Sequence, residues 1–442
     1  MRTAARLPYV QHQGIYRHPG NVMAMAVNEN GTILASGGSQ GTWLWNVADM
    51  SPLRRPSGAS SRGATLVIIW ARQTDEAHDV LYGGTQNGYF FCWRQKNGVF
   101  EETFAIQIPE PSEITAMAFD STNNRLCLCS RNDIVQSWAI SKDPVTGKWT
   151  PTNIFSRKFS RLSPQAITFA AFDNSQDRDI IVLGFHNSGP VYTLRGKTGE
   201  TASAWSVGAK IGDAAFHWRD GVFCVEDPYS GPSLFRLSDQ IKSNGYEIDR
   251  SRGDVRPRKV RFGEQGATLV CGSDHGCVYV FDTRSGAELA VLSVGSTEWV
   301  QVVETAEVDD VSVIFAAQTG SLDSCEEIFV WKRAQPARNT GTTLEKLVWV
   351  AKALVVLGFL AFVYQNMEAT VGPVRKVAGA FGGARARTTD LKGSVSGDKV
   401  TGAFGGAQAR TTNLKGSVSG DLKGGAGKDS KDFVVVDVRR EL

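Results

Sequence analysis

The stretch that decides the fold runs His18-Pro-Gly-Asn-Val-Met-Ala-Met-Ala-Val-Asn-Glu-Asn-Gly-Thr-Ile-Leu-Ala-Ser-Gly-Gly-Ser-Gln-Gly-Thr-Trp-Leu-Trp-Asn-Val47. It holds three short apolar runs, Val22–Val27, Ile33–Gly38 and Trp43–Asn46, separated by Asn28-Glu-Asn-Gly31 and Gln40-Gly41. Runs this short, cut by Asn and Gly, read as antiparallel strands joined by tight turns, because Gly accepts the positive φ that such turns require. No long stretch on either side carries a helical period. An antiparallel sheet of this size cannot bury both of its faces alone, so it must stack on copies of itself.

Six more units of the same kind follow at roughly the 40–50 residue period of propeller blades. They lie at 64–94, 113–140, 166–195, 212–237, 258–292 and 298–333, and the unit at 212–237 is faint. The count is therefore seven, with six or eight as the alternatives. The expected fold class is all-β, a seven-bladed β-propeller over residues 1–334. The last unit ends on its third strand at Trp331, and Leu7–Tyr16 at the other end of the chain is a candidate for the missing outer strand. Pairing the two ends would close the ring and cover an otherwise unpaired edge.

These residues resemble WD-repeat β-propellers, over roughly residues 7–334. The resemblance rests on His18 four places before Val22, on the strand ends Ser36-Gly37-Gly38 and Gly272-Ser273, and on Trp45-Asn46, Trp93, Trp138, Phe281-Asp282 and Trp331. The Asp that the family places in the turn of each blade falls here on Gln40, Asn87, Ser188 and His275. The family's Trp position holds Leu194 in the fourth unit and no aromatic at the same offset in the fifth. The resemblance implies the fold, and a loop-lined face that binds proteins. Part of the hydrogen-bond network that usually staples each blade is expected to be missing.

Composition excludes several classes. The 442 residues carry 48 Lys and Arg against 45 Asp and Glu, so nothing marks a nucleic-acid protein. Seven Cys, an odd number without a CxxC pair, sit mostly in apolar runs such as Leu126-Cys-Leu-Cys129, which points to buried free thiols in a reducing compartment. The six His are scattered, so no metal set is expected. The N-terminus lacks the apolar core of a secretory signal.

Ahead of the tail, Leu347–Tyr364 is apolar apart from Lys352. At 1.5 Å per residue it spans about 27 Å, close to the roughly 30 Å of a bilayer core. Residues 347–364 are thus expected to form one transmembrane helix, with 335–346 as linker and helix start. Thr342-Thr343-Leu344-Glu345 offers a capping box. Lys and Arg are denser before the segment than after it, which places the propeller in the cytosol and the tail in a lumen or outside the cell, the ER being the favoured organelle. Residues 365–442 are Gly-rich and carry 13 basic against 8 acidic groups. Within them 376–398 recurs as 399–421, and too few large apolar groups are present to offset the entropy of ordering, so the tail is expected to be disordered. Phe381 and Phe404 are twin candidate contact points in that repeat, and the terminal Arg439-Arg-Glu-Leu442 is a distant echo of an ER-retention signal.

Three strings look chemical. Gly37-Gly-Ser39-Gln-Gly41 fits the G-x-S-x-G of serine hydrolases, but a strand follows it where a nucleophile elbow needs a helix. Gly196-Lys197-Thr198 lacks the Gly that a phosphate loop needs at position 191. Arg54-Arg-Pro-Ser57 has the form of a basophilic phosphorylation site. No catalytic, cofactor or metal residue is therefore named, and no binding residue either. The function expected is a non-catalytic, membrane-tethered protein-interaction scaffold that uses no cofactor, binds protein partners and attaches to a membrane through residues 347–364. The alternative is an ER-membrane guanine-nucleotide exchange factor for a small GTPase of the secretory pathway, suggested by the similar layout of propeller, span and tail.

Overall fold

The structure is a computed structural model that describes residues 8–56, 60–73, 79–170, 177–186, 188–251, 253–319, 326–334 and 343–371. The chain falls into two units, Met1–Thr340 and Gly341–Leu442. The linker at 335–342, the repeats at 376–398 and 399–421, Phe381, Phe404, Ser57, Cys325 and the C-terminal four residues lie outside the described residues.

In the first unit, seven antiparallel sheets follow one another along the chain. The first blade pairs Val22–Val27, Ile33–Gly38 and Gly41–Asn46, so the three strands read from the sequence are the three strands present. Each of the other blades has four. Their innermost strands are Thr65–Ala71, Ile114–Asp120, Pro164–Phe169, Asp213–His217, Val260–Gly263 and Trp299–Val308. Consecutive inner strands are neighbours, and the last of them lies against the first, so the ring is closed.

The seventh blade takes its outer strand from the start of the chain. Tyr9–His18 pairs antiparallel with Glu326–Arg333, matching Tyr9 to Arg333, Val10 to Lys332 and His12 to Val330. Tyr9 is buried in a cluster with Val270, Val278 and Trp331, and its hydroxyl bonds to the Glu264 carboxylate. The two chain ends hold each other exactly where the unpaired edge would otherwise lie.

The core consists of slabs between blades. Among the described residues there are seven hydrophobic clusters, one for each pair of adjacent blades: Phe90, Ile114 and Trp138 between the second and third, for example, and Trp45, Phe315 and Val330 between the seventh and first. Each sheet thus buries both faces, which explains why its middle strands read as unbroken apolar runs, such as the fully buried Val80–Thr85 and Arg125–Ser130.

The faint fifth unit is a regular blade: Asp213–His217, Val222–Asp227, Gly231–Arg236 and Lys242–Gly245. Its signal was weak because its outer strand is polar and its second strand ends in two buried acids, Glu226 and Asp227. Its aromatic is not missing. Phe235 pairs with Phe223 just as Trp45 pairs with Leu34, and the offset is longer because Pro228-Tyr229-Ser230 replaces the two-residue turn Ser39-Gln40.

In the second unit one helix runs Thr343–Val371. The membrane span expected at 347–364 needs correcting on this point: among the described residues no helix is long and apolar enough to cross a membrane. The structure shows an all-β propeller and, as a separate unit, a helix whose described apolar side chains are exposed.

Candidate functional site

The blade staple survives in part. In the first blade, buried Trp45 donates from Nε1 to Ser36 Oγ at 2.8 Å. His18, fully buried, uses Nδ1 on the Gly20 carbonyl at 3.2 Å, while its Nε2 has no partner among the described residues. Gln40 stands where the turn Asp would accept that bond, and burial lowers the His18 pKa. In the sixth blade the acid is present one position early. Asp274 accepts from the Ser251 backbone at 3.0 Å and faces His275 Nδ1 at 2.8 Å, and His275 Nε2 reaches Tyr279 Oη at 2.9 Å.

The three chemical-looking strings acquire plain structures. Ser39 lies in a turn between two strands, its backbone N–H bonded to Asn21 Oδ1. No helix follows, so the elbow reading fails. Gly196-Lys197-Thr198 lies in the turn closed by Gly199 N to Arg195 O. Arg55 stacks over Trp43 at 4.0 Å and donates to the Gln40 carbonyl, while Ser57 is not described. The cysteines seen are free thiols: Cys92, Cys127, Cys129, Cys224 and Cys271 are buried and Cys277 half-buried. Burial pushes Cys127 up to about 12, far from the pKa of a nucleophilic thiol.

The inner strands enclose a channel of about 400 Å³. Much of its wall is apolar, with Met25, Val67, Met117 and Ile167 among the lining residues. The exception is one side, where blades five, six and seven bring together charges that sequence reading left unassigned. Asp213 accepts from Lys259 Nζ and Arg261 Nη1 at 2.9 Å each, and from the Val260 backbone at 3.0 Å. Arg261 continues to Glu304 at 3.1 Å.

Behind them Glu226, completely buried, is gripped by Arg258: Nε to Oε1 at 2.8 Å, Nη2 to Oε1 at 2.7 Å, and the Arg258 backbone to Oε2 at 3.3 Å. Burial pushes Glu226 up to about 7 even with the guanidinium against it. Gly212 is required by this approach, since a Cβ there would sit 2.2 Å from Glu226 Oε2. The sequence does carry a signal for the cluster. Arg258-Lys-Val-Arg261 puts three cations where an inner strand should be apolar, and such cations need acids brought from other blades.

Chemically the cluster is self-neutralising. Every carboxylate has a cation within hydrogen-bond reach, so the arrangement ties three blades together and leaves no activated nucleophile on display. No group of three or more His, Cys, Asp or Glu among the described residues could hold a metal ion. At one mouth the channel opens into a hollow of about 250 Å³ lined by all seven blades, including Met23, Leu66, Arg131, Gln165, Gly212 and Gln301.

The fold and this site define a class, a closed seven-bladed β-propeller whose mouth is lined by the ends of strands and the connections beside them. The family comparison refines it. Residues 10–46, the closing strand with the three strands of the first blade, match the WD domain, G-beta repeat, and that match together with the seven-bladed ring supports a WD-repeat β-propeller. No curated protein matches the chain.

Proposed function

We propose that the protein is a non-catalytic interaction scaffold whose propeller receives protein partners at the loop-lined mouth. WD-repeat propellers bind protein partners in general, and the observation that carries the reading here is the division of labour among charges. The channel's ionic groups are occupied in holding blades five to seven together, while residues of all seven blades, with Arg131 and Pro257 from connecting loops among them, line an open hollow. A rigid ring with adaptable loops on one rim suits recognition rather than turnover. The test is affinity purification of the full-length chain from mild-detergent extracts, followed by hydrogen exchange on the recovered complex. Protection concentrated in the loops around Met23, Arg131 and Gln301 is expected. A chain that recovers no reproducible partner, or a complex protected only away from the mouth, contradicts the reading.

Membrane tethering is a second reading, and one observation favours it. Leu354, Val355, Leu357, Phe359, Leu360 and Phe362 are each more than half exposed along the helix Thr343–Val371, a display that favours lipid or another apolar cover. Retention of the full chain in carbonate-washed membranes supports it, and release contradicts it. With a tether, the compartment we propose is the cytosolic side of a membrane for the propeller. The exchange-factor alternative draws no support from the geometry.

A further inference from the structure

Away from the channel, on the rim between blades four and six, stands a group of side chains that the mouth does not use. Tyr229 occupies the turn between Val222–Asp227 and Gly231–Arg236 and is 47% exposed. The turn is held rigidly: Asp227 Oδ1 accepts from the Tyr229 backbone at 3.0 Å, and its Oδ2 accepts from Ser230 Oγ at 2.6 Å. Lys210, from the connection entering blade five, places Nζ 4.9 Å from the Tyr229 ring centre and 3.2 Å from its hydroxyl. The same ammonium lies 5.4 Å from the ring of Phe185, which follows the second strand of blade four. Arg250, from the connection leaving blade five, has its guanidinium 5.7 Å from the Tyr229 ring. Two cations and two aromatic rings from four separate segments therefore form one surface.

Two of the nearby acids are already employed. Asp227 builds the Tyr229 turn, and Asp274 holds Ser251 and His275. Arg250 makes only a long bond, 3.4 Å, to the Asp254 carbonyl, and neither it nor Lys210 has a carboxylate partner among the described residues. Tyr and Arg are enriched at binding hot spots, and cations stacked on a ring, as Arg250 and Lys210 are here, are already ordered for an incoming anion.

We propose that this rim patch, Phe185, Lys210, Tyr229 and Arg250, docks an acidic segment of a protein partner, its carboxylates bridging Lys210 and Arg250 while its backbone lies along the Tyr229 ring. The proposal rests on the scaffold reading and gives that reading a second, off-axis contact. A peptide is favoured over nucleic acid because the chain is close to neutral, with 48 cations against 45 anions, and the patch is two charges wide where a nucleic-acid footprint would be an extended basic stripe.

Fluorescence anisotropy with the full-length chain tests it, using fluorescein-labelled hexaglutamate, hexalysine and a 20-nucleotide oligouridylate as probes. The wild type is expected to bind hexaglutamate, weakly and with salt sensitivity. The K210E/R250E variant is expected to lose at least about tenfold of that affinity and to gain hexalysine binding. Lys210 is half-buried and Arg250 exposed, so K210E/R250E is expected to keep a cooperative melt, and Tyr229→Ala should weaken hexaglutamate without creating hexalysine binding. Equal hexaglutamate binding by the wild type and K210E/R250E overturns the proposal, as does absent binding or tighter binding of the oligouridylate. A parallel purification separates the two readings. Partners recovered equally by wild type and K210E/R250E discard the patch and keep the scaffold, whereas no partner with either discards the scaffold itself.

Discussion

Removal of residues 1–16 unfolds the ring. The deletion takes away all but the last two residues of the outer strand of the seventh blade, Tyr9–His18, and leaves most of Glu326–Arg333 with unpaired backbone groups. It also removes Tyr9, which is 3% exposed and wedged between blades six and seven beside Trp331. Loss of one buried large aromatic costs about 3–5 kcal/mol by itself, and the lost ladder bonds add about 1 kcal/mol each. A sum of that size is comparable with the whole stability of an ordinary domain, about 5–15 kcal/mol. The expected result is aggregation or loss of the cooperative melt. Tyr9→Ala keeps the strand and supplies the graded version, a loss of about 3–4 kcal/mol in denaturant titrations. A truncated chain that melts like the wild type would show that the ring closes by some other means.

The second large effect concerns Arg258→Ala, and it depends on pH. Glu226 is up at about 7 in the folded ring, raised by burial from an ordinary carboxyl value near 4.5. A raised acid favours the folded state below its unfolded value, and that contribution is lost as pH rises through about 7. Without Arg258 the carboxylate has no counter-charge, so its folded value moves higher still and the loss with rising pH steepens. At pH 8 the variant is expected to lose about 3–5 kcal/mol, the cost of an orphaned buried charge. At pH 5 Glu226 keeps its proton, and the deficit shrinks to about 1–2 kcal/mol of lost hydrogen bonding. The paired variant E226Q/R258A should regain much of the stability at pH 8. Equal losses at the two pH values contradict the assignment of Glu226 as a buried, titrating partner.

How far the sequence was readable depends on how far apart the interacting residues lie. The blades were legible because their signal is local: apolar runs of five to seven residues, with Gly at turns, repeat along the chain. The closing strand was legible too, since a propeller that ends on its third strand needs an outer strand from somewhere and Leu7–Tyr16 was the spare one. The charged cluster was not legible. Arg258 finds Glu226 across 32 positions, Lys259 finds Asp213 across 46, and Arg261 finds Glu304 across 43. Only the closed ring brings these groups together.

The fifth blade sat between these cases. Its geometry is regular, but the buried acids that serve the cluster also broke its apolar rhythm, and a three-residue turn shifted Phe235 out of the expected place. Asp274 illustrates the same lesson at the scale of one residue: the acid was present, one position from where a fixed offset would look for it. The helix Thr343–Val371 was legible as a helix. Its environment was not, because apolarity fixes what a segment avoids and leaves open what covers it.

The central claim is that the two ends of residues 8–334 are zipped to each other in one register, and a cross-link tests it directly. Val10 and Lys332 lie opposite each other on the paired strands, with Val10 58% exposed. Opposed residues of an antiparallel pair have Cα atoms about 4.5–5.5 Å apart, within disulfide reach. On mild oxidation the V10C/K332C variant should form an internal disulfide in the monomer, located by mass spectrometry of a digest, with the wild-type fold retained. If positions 10 and 332 stay unlinked, or join only between chains, the ring is not closed by its own N-terminal strand.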